Sequence, residues 1–221
     1  MAFDYKKECK EFYLPAKNPS IVKIPAMNFV AIQGKGNPND EDGEYKKALG
    51  VLYAVEYSIK MSKMAVKKNP DAWQIPNYFD FVVPPLEGLW WQDGSCGIDY
   101  TKKNDFCWIS MIRLPDFVTK EIFDWALNEF VEKKLKNERK MIERTKFFSF
   151  EEGLCVQCLH HGSYDDEPAT IQLMKDFAFA EGYEEDFSEN RYHHEIYLSD
   201  PRKTASEKLR TVIRHPIKLK I

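Results

Sequence analysis

The chain has 221 residues, 43% hydrophobic and 30% charged, which is long enough for a sizeable core and unlike a disordered chain. Lys plus Arg number 32 against 35 for Asp plus Glu, a net charge of -3, so the basic footprint of a nucleic-acid binder is missing. The start, MAFDYKKECKEFYLP, holds no apolar signal-peptide core, and no apolar run reaches the roughly 20 residues that cross a bilayer. No membrane or nucleic-acid partner is therefore expected, and the cytoplasm is the expected address.

Residues 1–20 read as a polar N-terminal arm with Pro15 and Pro19. A strand is expected over Asn28-Phe-Val-Ala-Ile-Gln33, ending at Gly34. A turn-rich acidic segment follows, then an amphipathic helix from about Glu44 to Met64. Its apolar stripe is Leu49, Leu52, Val55 and Ile59, and Tyr53 and Tyr57 form a separate aromatic ridge. In YFDFVVPPLEGLWWQ, Pro84-Pro85 is expected to divide two strands or bend one edge strand.

Phe106 to Leu114 is β-rich and stops at Pro115. A helix is expected over about 119–136, capped by Thr119, with Ile122, Phe123, Ala126, Leu127, Phe130 and Val131 buried. The second half opens with a strand over Gly153–His161 and a turn at Gly162. A helix follows from Pro168 to Ala180, its N-terminus favoured by Asp165, Asp166 and Glu167. Strands over Tyr192–Leu198 and Leu209–Pro216 complete it.

The two halves repeat one pattern: strand, glycine, acidic turn, amphipathic helix, then a strand carrying a glutamate (Glu87, Glu195) among aromatics. The expected fold class is α+β: duplicated strand-helix-strand-strand units in an antiparallel sheet, helices on one face, and a concave ligand cleft. With no Pro/Gly/Ser-rich linker, residues 21–221 read as one domain. Its pseudo-repeats span about 21–115 and 146–221, joined by the 119–136 helix.

Chemistry concentrates in three stretches. In Arg191-Tyr-His-His-Glu-Ile-Tyr-Leu198, alternation puts His193, Glu195 and Tyr197 on one face and His194, Ile196 and Leu198 on the other, which would pack on the helices. A carboxylate on a mid-sheet strand is costly to bury without compensation; the alternative is a solvated glutamate on an open face. In LEGLWW, one of Trp90 and Trp91 can form a platform for a planar ligand, unless both pack under neighbouring elements. In HHGSYDDEP, Tyr164 sits on the loop between strand and helix, where function concentrates.

Other chemistries lack a signature. The five cysteines, Cys9, Cys96, Cys107, Cys155 and Cys158, form no disulfide framework. A strand separates the two thiols of C-x-x-C onto opposite faces, so they read as buried and unreactive. Adjacent histidines on strands point apart, and no metal-ligand spacing, nucleophile elbow or dinucleotide fingerprint is present, so no metal and no cofactor are expected.

The segments HHGSYDDEPATI, HHEIYLSDPRKTASEKLRTVIRHPI and LEGLWW resemble stand-alone GyrI-like small-molecule-binding proteins over about residues 20–221. That family's fold is similar to the effector domains of multidrug-responsive transcription regulators. The resemblance implies a ligand cleft between the halves and a central glutamate, matching Glu195. One branch of this length without a DNA-binding extension resembles the cyclopropanoid cyclopropyl hydrolases, which open the strained ring of DNA-alkylating compounds inside an aromatic cage.

Cage candidates are Trp90, Trp91, Tyr164 and Tyr197, with Tyr53, Tyr57 and Trp125 on helices and His193 beside the glutamate. Glu195 would accept a proton from water, and Tyr164 or Tyr197 would donate to the developing oxyanion. Ring-lined burial disfavours the carboxylate unless hydrogen bonds or a cation oppose it. The expected function is hydrolysis of a flat aromatic electrophile. The alternatives are a non-catalytic sequestering protein for flat cationic aromatics and a gyrase-inhibitor-like protein-binding module.

Overall fold

The computed structural model describes residues 2–69, 71–94, 97–128, 138–188 and 191–220. The arm carries two single-turn helices, α1 (Tyr5–Glu8) and α2 (Lys10–Tyr13). Then come β1 (Ser20–Lys35), α3 (Glu44–Lys68), β2 (Leu86–Gln92) and β3 (Phe106–Arg113). Two short helices, α4 (Lys120–Ala126) and α5 (Arg139–Glu143), lead to the second half. This half contains β4 (Lys146–His161), α6 (Glu167–Ala180), β5 (Tyr183–Glu185), β6 (His193–Tyr197) and β7 (Arg210–Leu219). Both halves run strand, helix, strand, strand, and the second inserts the short β5.

The strands are antiparallel and follow the order β4–β1–β3–β2–β6–β7, with β7 pairing back onto β4 to close the sheet. Because side chains alternate, each strand presents one row to each face. One face carries Val30, Ile32, Trp108 and Ile112 under the α3 stripe. On the same face Val156, Cys158, Ile213 and Ile217 pack against Met174 and Ala178 of α6. Burying each of the Val, Ile and Met side chains among them contributes about 1.5–3 kcal/mol.

The arm covers part of the opposite face, beside a cluster of Phe29, Ala31, Leu89 and Met111. Tyr5 and Tyr13 pack on Ile196 and Val212, and the Arg113 guanidinium lies 4.4 Å above the Tyr5 ring. One glycine sets a strand contact. A Cβ on Gly34 would lie 2.2 Å from the Trp108 indole, so only glycine lets β1 pass beneath that ring.

Several boundaries differ from the sequence expectation. β1 begins at Ser20, since its first residues pair with β4 although Pro25 interrupts their apolar pattern. α3 runs to Lys68, and its buried stripe is Ala48, Val51, Leu52, Val55 and Ile59; Leu49 is half-buried at the stripe's edge. Residues before Pro84-Pro85 form no strand beyond an isolated Phe3–Phe81 bridge, so only Leu86–Gln92 joins the sheet.

Thr119 caps α4 as expected, accepting from the Ile122 N–H, and Ile122, Phe123 and Ala126 are buried. Phe130, Val131 and the end of that expected helix lie outside the described residues, as does Cys96. The arm is not merely polar, because Tyr5 and Tyr13 are fully buried. Among the described residues, no helix is long and apolar enough to cross a membrane.

Candidate functional site

His193, Glu195 and Tyr197 do share one face of β6, but it is the face that α3 and α6 cover. His194 and Ile196 instead point to the side filled by the arm. The expectation placed the helices on the Ile196 side; the buried tyrosines of the arm, absent from the apolar periodicity, occupy that side. Glu195 stands opposite Gly88 of β2 and Ile213 of β7, with 8% of its surface exposed.

Rings enclose this carboxylate. The Trp90 indole N–H donates to the Tyr197 hydroxyl oxygen at 2.9 Å. Tyr45 of α3 lies 5.4 Å from Trp90 and 5.2 Å from Trp108 between ring centres, and Tyr164 meets Tyr197 edge-on at 5.8 Å. Tyr100, on the loop before β3, donates to Glu167 Oε2 at 3.0 Å and packs edge-on against Phe106. Burial pushes the phenols of Tyr45, Tyr100, Tyr164 and Tyr197 upward, and the nearby Glu195 charge adds to the shift. They stay protonated at neutral pH and can donate hydrogen bonds.

Gly88 makes the Trp90–Tyr197 contact possible. A Cβ there would lie 2.5 Å from the indole nitrogen and 3.1 Å from the phenol oxygen. β2 therefore needs glycine opposite Glu195 for steric reasons.

The polar floor is His193. Its Nε2 lies 3.0 Å from Glu195 Oε1 and 3.7 Å from Glu167 Oε2. Burial opposes charge on this ring, but hydrogen bonds to Glu167 and Glu195 outweigh it and hold the imidazole at about 9. The Glu167 carboxyl is pushed upward, first by burial and then by the Glu195 charge. Glu167, His193 and Glu195 each offer one atom within 4.8 Å of the others, a spacing compatible with one cation. The 3.0 Å contact is that of a charge-assisted hydrogen bond, so a proton on Nε2 is enough to join the three.

A second buried network lies on the arm side. His194 donates from Nε2 to Glu87 and from Nδ1 to Glu152, each at 3.0 Å, and Arg214 Nη1 donates to Glu152 at 2.9 Å. Tyr13 Oη donates to Glu87 at 3.2 Å, and Arg214 donates to the Phe12 carbonyl at 2.7 Å. These residues line an enclosed cavity of about 10 Å³, the size of one water. A larger open groove of about 610 Å³ lies between Phe12 and the start of β1.

Of the residues singled out in the sequence, Glu195, His193, Tyr197, Tyr164 and Trp90 come together. Trp91 points to the opposite face and stacks on Tyr192 at 4.3 Å. Trp125 packs edge-on against Trp73 at 5.1 Å. Tyr53 and Tyr57 on α3 are 36% and 51% exposed, and Tyr53 lies near Asp200 and Arg202 of the loop after β6. Sequence reasoning missed Tyr45, Tyr100, Trp108 and Glu167. Glu167 read as a helix-dipole partner, and the signal for a deeper role was its place one turn after Tyr164.

The GyrI-like small molecule binding domain is matched over residues 17–218. Two solved structures from Listeria innocua are similar over their whole length. An uncharacterized conserved protein has 43% identity, TM-score 0.85, and coverage of 98% of this chain and 100% of that one. A hydrolase has 42% identity, TM-score 0.82 and the same coverage. The C-terminal domain of EcmrR, 14% identical with TM-score 0.52, covers 92% of this chain and 98% of that one, and shares the fold. No curated protein matches the sequence.

Proposed function

The chain belongs to the GyrI-like small-molecule-binding family, and from that premise we propose that it hydrolyses the cyclopropane ring of flat, cyclopropanoid DNA-alkylating compounds. The observation that carries this reading is the joining of a hydrogen-bonded carboxylate, Glu195, to a wall of aromatic rings. The ligand lies against Trp90 and Tyr164. Glu195 takes a proton from water as its oxygen bonds to the strained CH₂ carbon. The C–C bond pair moves through the conjugated ring to the distant carbonyl oxygen, whose developing charge accepts a hydrogen bond from the Tyr197 or Tyr164 hydroxyl. Solvent then protonates that oxygen as Glu195 releases its own proton, so the net change is addition of one water.

A positioned base contributes roughly 10²–10⁴-fold, enough for a substrate already activated by strain. The Listeria relative described as a hydrolase supports an enzyme of this class. His193 also weighs against plain sequestration of cations. Its Nε2 already partners Glu195, so the carboxylate needs no cationic ligand for compensation.

Incubation with a cyclopropanoid, followed by mass spectrometry, tests the proposal. Gain of one water under multiple turnover is the expected result. Glu195→Gln should retain binding and lose turnover. Tight binding of unchanged compound by the wild type would leave only a sequestering protein.

A further inference from the structure

Behind Glu195 runs a line of titratable side chains that water addition does not itself use. His193 Nε2 faces Glu195 Oε1 at 3.0 Å, His193 Nδ1 faces His215 Nε2 at 2.7 Å, and His215 Nδ1 faces Glu185 Oε1 at 3.0 Å. His193 and His215 are 2% and 3% exposed, and the line emerges at Glu185, where Lys175 lies 3.3 Å from the other carboxylate oxygen.

The chemistry of the end group fixes the direction of every bond. A carboxylate only accepts, so His215 Nδ1 carries the hydrogen. The neutral imidazole then has a bare Nε2, which must accept from His193 Nδ1–H. His193 Nε2 therefore either carries a second hydrogen, facing Glu195 and Glu167, or accepts from one of those two carboxyls. Either way one proton is shared at the junction, and it cannot be lost to the far side of the ring.

We propose that Glu185 and His215 are positioning residues, which orient His193 and, by accepting its Nδ1 hydrogen, favour the doubly protonated ring, so that its Nε2 hydrogen supports the carboxylate form of Glu195. This assignment rests on the reading of Glu195 as the base. The same device orients metal-binding and catalytic histidines elsewhere, where a partner on the far ring nitrogen sets what the near one presents. Glu185 comes from β5, the strand the second half adds to the repeat, so the insertion has a use: it brings a surface carboxylate to the end of a buried line.

The groups facing the line agree with it. His193 meets Glu195 on its own strand, Glu167 from α6 (held by Tyr100) and His215 from β7. His215 meets Glu185 from β5, feels Glu152 from β4, and packs edge-on against Phe187. Burial holds the His215 ring down at about 4, and the charge on His193 adds to this, so His215 is the neutral acceptor the geometry requires.

Glu185→Gln is the test, because two histidines separate Glu185 from Glu195 and the exchange keeps the side chain's shape. A glutamine amide removes the negative charge that anchors the His215 Nδ1 hydrogen: its oxygen accepts more weakly than a carboxylate, and its NH₂, when turned to His215 Nδ1, reverses the line and removes the Nδ1 hydrogen from His193. Ring-nitrogen NMR should show the His193 midpoint falling by at least about one pH unit, a tenfold loss of proton affinity. Glu185→Asp should restore it, and Lys175→Met should leave it in place. With a cyclopropanoid substrate, the acid limb of kcat in Glu185→Gln should move to higher pH by a similar amount.

An unchanged His193 midpoint in a folded Glu185→Gln protein overturns the assignment, as does an equal shift in Lys175→Met. A shifted midpoint in a protein whose wild type turns over no cyclopropanoid sustains the positioning and overturns the chemistry alone.

Discussion

Trp90 and Tyr197 are joined across β2 and β6 by the indole N–H donating to the phenol oxygen at 2.9 Å, through space that Gly88 leaves empty. The bond fixes the Trp90 indole and orients the Tyr197 hydroxyl near Glu195. Gly88→Ala should break it, since the new Cβ would overlap the indole nitrogen. An overpacked contact of this kind costs about 1–3 kcal/mol. The expected outcome is a folded protein with a modestly lower Tm, a shifted tryptophan emission, and ligand affinity reduced about tenfold. An unchanged emission spectrum would mean that the indole does not depend on the missing Cβ.

Tyr197→Phe separates binding from donation. The ring remains, but the hydroxyl that faces Glu195 and accepts from Trp90 is lost. If Tyr197 serves the developing oxyanion, turnover should fall about 10²-fold or more with a much smaller change in KM. Tyr164→Phe is the comparison, and the variant with the larger kcat loss identifies the donor. Because burial pushes both phenols upward, neither should produce an alkaline limb in the wild-type rate below about pH 10.

The network under the arm makes stability depend on pH. His194 donates from both nitrogens to buried carboxylates, so it is held as a cation; burial opposes this, and Glu152 and Glu87 outweigh it, raising the ring above its ordinary value. A histidine raised on folding stabilises fully below its unfolded value of about 6.5, and that contribution is lost as pH rises through the folded value. His193, held at about 9, acts in the same direction. Thermal melts should therefore show Tm falling from about pH 6.5 to 9, with a shallower slope in His194→Gln. Breaking this buried pairing should cost about 3–5 kcal/mol at neutral pH. Glu152, which burial would raise but His194 and Arg214 hold at about 2, gives the opposite slope: its contribution is lost as pH falls from about 4.5 toward 2.

Much of this site was legible in the sequence because strands alternate. Residue parity in HHEIY alone puts Glu195 beside His193 and Tyr197, and parity in LWW separates Trp90 from Trp91. Which face the helices cover was not legible. That depends on where the arm folds, and Tyr5 and Tyr13 carry no periodicity that marks them as core. Tyr45, Tyr100 and Glu167 were equally hidden: each comes near Glu195 from a different element, and only the tertiary fold brings them together. The 25-residue helix α3 shows the same limit on a smaller scale. Its apolar spacing was clear, yet Leu49 and Ala48 compete for the stripe, and packing against β1 selects the smaller residue.

α3 also buries Glu56, whose two carboxylate oxygens have no hydrogen-bond partner among the described residues. Its neighbour Lys60 donates instead to the Phe81 carbonyl. Burial pushes the Glu56 carboxyl well above its usual range, with Lys60 opposing only in part, so the side chain is a neutral acid in the folded protein. A carboxyl raised on folding imposes no penalty below its unfolded value of about 4.5, and it destabilises progressively as pH rises toward the folded value. Glu56→Met removes both the unpartnered oxygens and this dependence. The variant should be more stable than wild type by roughly 1–3 kcal/mol above neutral pH, with the gain shrinking toward pH 4.5. Urea melts at pH 5 and pH 8 measure both terms. A variant that is destabilised equally at the two values would show that Glu56 holds a partner the static packing lacks.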